Sequence, residues 1–201
     1  MYQPKLCGAN VDIGFAVDSS LGKKINFESA KVFVKHVAER FQISPSKSQA
    51  GFIRFGATAD MSIKLNAYSS VESFRDAVDS ISTTEDTTRI DQALDKAYKD
   101  LFSRTNGARY SQPQVLVLLT DNLQLKGSES QAIANSMKPF AESGIAVIVV
   151  GIGKSSKPIQ LSSLLADKTD AYLVDDFQKL NDVRFIDQIT HRICRATRMS
   201  I

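Results

Sequence analysis

Asp18 and Ser20 stand two residues apart in the stretch Val11–Gly22, VDIGFAVDSSLG. The first seven residues, Val11–Val17, read as an apolar strand, and the strand stops at DSSLG. A carboxylate and a hydroxyl delivered by a buried strand supply half of a hard-cation site, because Mg²⁺ and Ca²⁺ take oxygen ligands. A second apolar run, Val115–Thr120 (VLVLLT), ends at Asp121. Thr88 lies in the polar loop STTEDTT, just ahead of a helical pattern. If the two strands are neighbours, Asp18 and Asp121 meet at one edge of the sheet. Without a cation between them they repel, and one titrates upward.

The remaining elements decide whether those strands are neighbours. A helix is expected from Asn26, as its cap, to about Phe41, with Phe27, Ala30, Val34, Val37, Ala38 and Phe41 at mostly helical spacing. Gln49–Phe55 reads as a strand and Met61–Leu65 as an antiparallel edge strand. Ser70–Ile81 is a short helix capped by Ser69 or Ser70, and Ile90–Phe102 is a clear amphipathic helix. Ser128–Ser143 is helical, with a kink or early end expected at Pro139 and a stop at Gly144. Ile145–Val150 is a buried strand, Ile159–Ala166 a short helix, Ala171–Val174 the last strand and Val183–Cys194 the last helix. Strands alternating with helices predict an α/β fold: a doubly wound, mostly parallel six-stranded sheet of order 3-2-1-4-5-6 with one antiparallel edge strand. In that order the first and fourth strands are adjacent at the switch point, where ligands bind. No repeat or linker-like shift in composition divides the chain, so residues 1–201 are expected to form one domain with a core of about 11–193.

Asp18, Ser20, Thr88 and Asp121 in this order resemble the metal-ion-dependent adhesion site of von Willebrand factor type A domains. The family pattern is Asp-x-Ser-x-Ser, then a Thr ahead of a helix containing Ala-Leu, then an Asp after an apolar strand. Here DSSLG stands at 18–22, TRIDQAL at 88–94 and VLVLLTD at 115–121, with VDIGFAVD, SQAGFIRFG and IAVIVVGIG as further similar stretches. The resemblance runs from about Val11 to His191. It implies Mg²⁺, with Mn²⁺ or Ca²⁺ as alternatives, held by Asp18, Ser20 and Thr88, and by Asp121 directly or through water. It also implies a coordination position left for a carboxylate of a partner protein. Ser19, Lys23, Arg89 and Asn122 are candidates for the rim that such a partner meets. Lys23, Lys24, Lys126 and Arg89 together form either a basic rim for an acidic partner or a solvated loop surface.

Two positions depart from the pattern. Gly22 stands at the third serine and offers no side-chain oxygen, and Ile90 replaces a residue that is often polar. Water can fill the gap at a hard cation. A site weaker by about one to two orders of magnitude is expected if losses among supporting ligands are a guide. Two binding readings follow. One is an extracellular matrix or adhesion module that binds collagen or another matrix protein with metal assistance. The other is a structural module that assembles matrix, including by self-association, with the metal site weak or unused.

Other functions find little support. Lys and Arg number 25 against 22 Asp and Glu, and no long basic run suggests nucleic acid. No apolar run approaches the ~20 residues of a membrane span. Two cysteines and two histidines without CxxC or HExxH do not make a zinc motif. Gly153-Lys154-Ser155 follows a strand, but a phosphate-binding loop would need Gly where Ile148 stands. An aspartyl-phosphate enzyme would want a second Asp where Ser20 stands, and His36 and His191 have no placed nucleophile, so no enzyme is expected.

Cys7 and Cys194 bracket nearly the whole chain. Termini of compact domains often lie close together, which makes a Cys7–Cys194 disulfide natural, against two unrelated buried thiols. The disulfide would place the protein in an oxidising compartment, secreted or in the extracellular matrix. The first residues lack the apolar core of a signal peptide, so a secreted protein would carry this chain as an excised piece. Free thiols would instead favour an intracellular member of the family.

Overall fold

The computed structural model describes residues 6–20, 24–84, 87–121, 127–153 and 171–196. Its strands are β1 (Asp12–Asp18), β2 (Gln49–Phe55), β3 (Ala59–Ile63), β4 (Gln114–Thr120), β5 (Ala146–Ile152) and β6 (Ala171–Val174). They form one sheet of order β3-β2-β1-β4-β5-β6. All neighbours are parallel except β2 and β3, which are antiparallel. The predicted order and the single antiparallel edge are both present.

Side chains alternate across a strand, and β1 uses both faces. Ile13, Phe15 and Val17 join a core with α1 (Lys24–Ala38), α2 (Val71–Asp79) and α5 (Val183–Ala196). On the other face Ala16, Ile53, Leu116, Leu118 and Val149 pack with α3 (Ile90–Lys96) and α4 (Gly127–Glu142). Every residue of β1 is buried. Such a strand has no solvent-facing side, which is why its sequence is apolar between Asp12 and Asp18.

Several predicted boundaries move, β3 among them, which is Ala59–Ile63 where Met61–Leu65 was expected. α1 begins by Lys24, so Asn26 lies in its first turn, and it ends at Ala38 instead of Phe41. The stretch expected as one helix to Phe102 is α-helical only to Lys96 and continues as a π turn, Ala97–Leu101. The amide of Phe102 donates to the carbonyl of Ala97 at 2.9 Å, five residues back. The inserted residue sets Leu101 against β1 and β2 where they are bare. Gly14 and Gly51 are paired across these strands, and a Cβ on them would lie 2.8 and 2.6 Å from Leu101 methyl carbons. α4 does not end early at Pro139. It runs on to Glu142, and Gly144, at φ +69°, then ends it as expected. Phe140 in this last turn is buried against Tyr98 and Phe102, at ring distances of 5.6 and 6.5 Å. The Ser70 cap of α2 is present, with its Oγ accepting from the Ser73 amide at 3.2 Å. The predicted helix 159–166 lies outside the described residues.

Two ion-bearing side chains are held inside the fold. Asp12, at the start of β1, is fully buried. It accepts from the Arg109 amide at 2.7 Å and from Arg109 Nε and Nη2 at 2.9 and 2.6 Å. Lys31 is buried on α1, and its Nζ donates to the carbonyls of Asp79 and Ile81, each at 3.0 Å. It thereby satisfies carbonyls at the end of α2 that the helix cannot. Cys7 and Cys194 are joined as a disulfide, their Cα atoms 6.2 Å apart. No helix among the described residues is long and apolar enough to cross a membrane.

Candidate functional site

Asp18 is the last residue of β1 and is fully buried. Its neighbours across the sheet bring the other polar groups to it. On the β4 side, Val17 is in register with Leu119, so Thr120 follows at the level of Asp18. Thr120 Oγ1 donates to Asp18 Oδ2 at 2.8 Å. Thr88, just ahead of α3, donates to the same oxygen at 3.1 Å. The Ser20 amide and Oγ donate to Asp18 Oδ1 at 3.0 and 2.6 Å. The hydroxyls of Ser20 and Thr88 lie 2.7 Å apart.

Proton bookkeeping shows what this cluster lacks. Ser20 and Thr88 carry one hydroxyl proton each. Between them they face three short oxygen contacts, two with Asp18 and one with each other. Two protons cannot serve three contacts. An additional positive charge among these oxygens removes the deficit, and an all-oxygen set of carboxylate and hydroxyl suits a hard cation. Asp121 adds to the same imbalance. It is exposed at the surface, yet desolvation of its carboxyl, and next the negative charge of Asp18, raise its pKa from 3.8 to about 6. The structure therefore brings Asp18, Ser20 and Thr88 into direct contact and couples Asp121 to them electrostatically. Among the described residues no three His, Cys, Asp or Glu side chains gather as a metal-binding group. A cation here would rest on two carboxylates and on hydroxyls.

The expected rim takes a different shape. Ser19 is buried, and its hydroxyl donates to the Phe55 carbonyl at 3.0 Å while lying 2.5 Å from Thr84 Oγ1. Its own carbonyl accepts from Thr83 Oγ1 at 2.6 Å. Ser19 thus ties β1 to β2 and to the 82–84 loop. Arg89 is exposed, but its guanidinium is held by Asp91 at 2.9 and 2.6 Å. Lys24 is exposed. Gly22, Lys23, Asn122, Lys126 and the Gly-Lys-Ser residues Lys154 and Ser155 lie outside the described residues. Thr120 is the polar residue that sequence reasoning missed. Its signal was a threonine closing an otherwise aliphatic run beside a predicted partner strand.

The model of the von Willebrand factor type A domain family matches residues 12–185. The chain belongs to that family. Curated relatives of this type A domain include the human collagen alpha-5(VI) chain, 26% identical over 185 residues. That match covers 91% of this chain and 7% of the collagen chain. Chicken matrilin-1 is 26% identical over 149 residues, 74% of this chain and 29% of matrilin-1. Mouse von Willebrand factor A domain-containing protein 2 is 30% identical, with 73% and 18% covered. The chain thus spans less than a third of each of these relatives. Among solved structures, proximal thread matrix protein 1 from the mussel byssus superposes with a TM-score of 0.81 at 22% identity, covering 94% of this chain and 47% of that one. The same protein has been solved with zinc in its MIDAS motif, at a TM-score of 0.78 and 21% identity. At such identity the likeness bears on the fold.

Proposed function

We propose that residues 1–201 form one type A module that binds a matrix protein, collagen or another, through a divalent cation at the carboxyl edge of the sheet. Asp18, Ser20 and Thr88 would hold the ion, with Asp121 as the fourth ligand, direct or through water. Mg²⁺ fits this set, as do Mn²⁺ and Ca²⁺. The observation that carries the reading is the oxygen cluster at Asp18, with one proton too few for its contacts. When bound, the cation supplies a Lewis-acidic position that an acidic side chain of a partner can complete. The protein's own residues orient the site: Thr120 and the Ser20 amide fix the Asp18 carboxylate, and Ser19 fixes the turn that presents Ser20. The reading is one of binding, not catalysis. It is supported by the names of the relatives, collagen chains and matrilin, as is an extracellular setting, which the Cys7–Cys194 disulfide also favours.

The decisive experiment is calorimetric titration with Mg²⁺, Mn²⁺ and Ca²⁺, paired with binding to immobilised collagen in Mg²⁺ and in EDTA. Asp121→Ala is expected to weaken both metal and collagen binding by tenfold or more. Collagen binding that survives EDTA and Asp121→Ala alike would overturn metal dependence. It would favour the second reading, a matrix-assembly module in which Gly22 has left the metal site weak.

A pH dependence follows from Asp121. Metal ligands must shed their protons to bind. With the Asp121 carboxyl titrating at about 6 in the metal-free protein, Mg²⁺ affinity is expected to be level above that pH and to fall roughly tenfold per unit below it. Asp121→Asn should flatten the profile. The stability of the metal-free protein runs the opposite way with pH. Because the folded pKa of Asp121 is raised from 3.8, the folded state holds the proton more tightly, and stability falls as pH rises through that window.

A further inference from the structure

We propose that the hollow beside the Asp18 cluster, between the first turns of α3 and α4, seats an aliphatic side chain of the partner; this rests on the metal-assisted reading above. The partner segment then carries two anchors: an acidic residue that completes the cation's shell, and an aliphatic residue one or two positions away. The hollow encloses about 390 Å³. That is at the small end of the ~300–1,000 Å³ of ligand sites, and it suits a side chain rather than a polymer.

Thr88 belongs to both places. Its hydroxyl lies in the oxygen cluster, and the residue also lines the hollow. Ile90, two residues on, lines the hollow as well. Two Cα steps cover at most about 8 Å. Alternate residues of an extended segment, which point to the same side, stand roughly 7 Å apart. One extended segment of a partner therefore reaches the cation and the hollow together.

The lining selects the aliphatic occupant. Ile90 and Ile133 are only 5% and 6% exposed and form the floor, with Ala132 beside them. Both isoleucines belong to the core on that face of the sheet, so the floor is preformed. A preformed seat costs a ligand less to enter. Ile90 is also the second departure from the family pattern, and it replaces a frequently polar residue by an apolar one at this place. The charges around the hollow are already engaged. Arg89, the one cation in the described lining, donates through Nε and Nη2 to Asp91. Glu129, at the exposed rim, has an interaction of its own. A charged occupant would find no free opposite charge here and would lose its water against the isoleucines. An aliphatic side chain gives up no polar contact and removes apolar surface from water.

The test uses the full chain, labelled with ¹³C at the isoleucine δ1 methyls, in Mg²⁺ and in EDTA. The probes are end-blocked peptides: Gly-Gly-Leu-Glu-Leu-Gly-Gly, a control with Gly for both Leu, and a control with Gln for Glu. The Leu/Glu peptide in Mg²⁺ is expected to shift the Ile90 and Ile133 methyls saturably. It should bind at least tenfold tighter than the Gly control, since burial of an aliphatic side chain is worth a factor of that order. EDTA and the Gln control should each abolish the shifts. A132F, which fills the hollow, should remove the tenfold advantage and leave the binding of the Gly control unchanged, with the methyl spectrum showing that the variant is folded. Should A132F fail to fold, the two peptides on the unmodified protein decide alone. Equal affinity of the Leu/Glu peptide and the Gly control, in a protein that binds Mg²⁺ by calorimetry, overturns the hollow and leaves the metal reading standing. Shifts that avoid Ile90 and Ile133, or a folded A132F that keeps the advantage, do the same. An absence of Mg²⁺ binding overturns the metal reading, and Leu/Glu binding that persists in EDTA separates the hollow from the cation; either result ends the two-anchor proposal.

Discussion

Arg109→Ala is expected to destabilise the protein by about 3–5 kcal/mol, the cost of leaving a buried charge without its partner. Asp12 has no exposed surface, and three of the groups that hold its carboxylate belong to Arg109. The backbone amide survives the substitution, but the guanidinium does not. Burial raises the pKa of Asp12, and the hydrogen bonds and charge of Arg109 oppose that rise. In the variant the opposition weakens, so the folded state holds a proton on Asp12 still more tightly than the unfolded state does. Stability then falls as pH rises from below the unfolded carboxyl pKa. The deficit should therefore be small at pH 3 and largest near neutrality. Urea denaturation of both proteins across that range measures it directly. Replacing both partners, as in D12N/R109M, should recover much of the loss, because no buried charge then stands alone.

The larger effect is expected from Cys7→Ser/Cys194→Ser. The disulfide closes a loop with a sequence separation of 187. In the chain-entropy account such a loop contributes about 5 kcal/mol by restricting the unfolded chain. For a protein of this size each kcal/mol moves the melting temperature by roughly 2–4 °C. A loss of about 10–20 °C is thus expected in a thermal melt, and reduction of the unmodified protein should produce the same shift. A shift of only a degree or two would show that the unfolded chain is constrained little by the bond.

The architecture was legible because its signals are repetitive. β1, β4 and β5 are aliphatic runs too short for helices, and Gln49–Phe55 and Ala171–Val174 keep their predicted bounds in the structure. The oxygen cluster was legible for a related reason: its members sit where strands end and a helix begins. What escaped depends on pairs distant in sequence. Asp12 and Arg109 are 97 residues apart, and neither has a local pattern that names the other. Lys31 reads as a charge on the wrong side of an amphipathic helix. Its long apolar stem is buried while the ammonium reaches carbonyls about fifty residues away. The π turn is invisible to periodicity because it adds one residue to a pattern whose apolar positions continue on both sides. Only Gly14 and Gly51, opposite each other in the sheet, record that a helix must come close there.

The position of the disulfide also sets how the molecule bears tension. A pull applied beyond Cys7 on one side and beyond Cys194 on the other meets the sulfur–sulfur bond before it meets the sheet. The two anchor points stand 6.2 Å apart, whereas the chain between them, drawn out straight, would reach roughly 600 Å. While the bond holds, that slack stays locked away, and the domain behaves as a short, stiff link that keeps its shape under load.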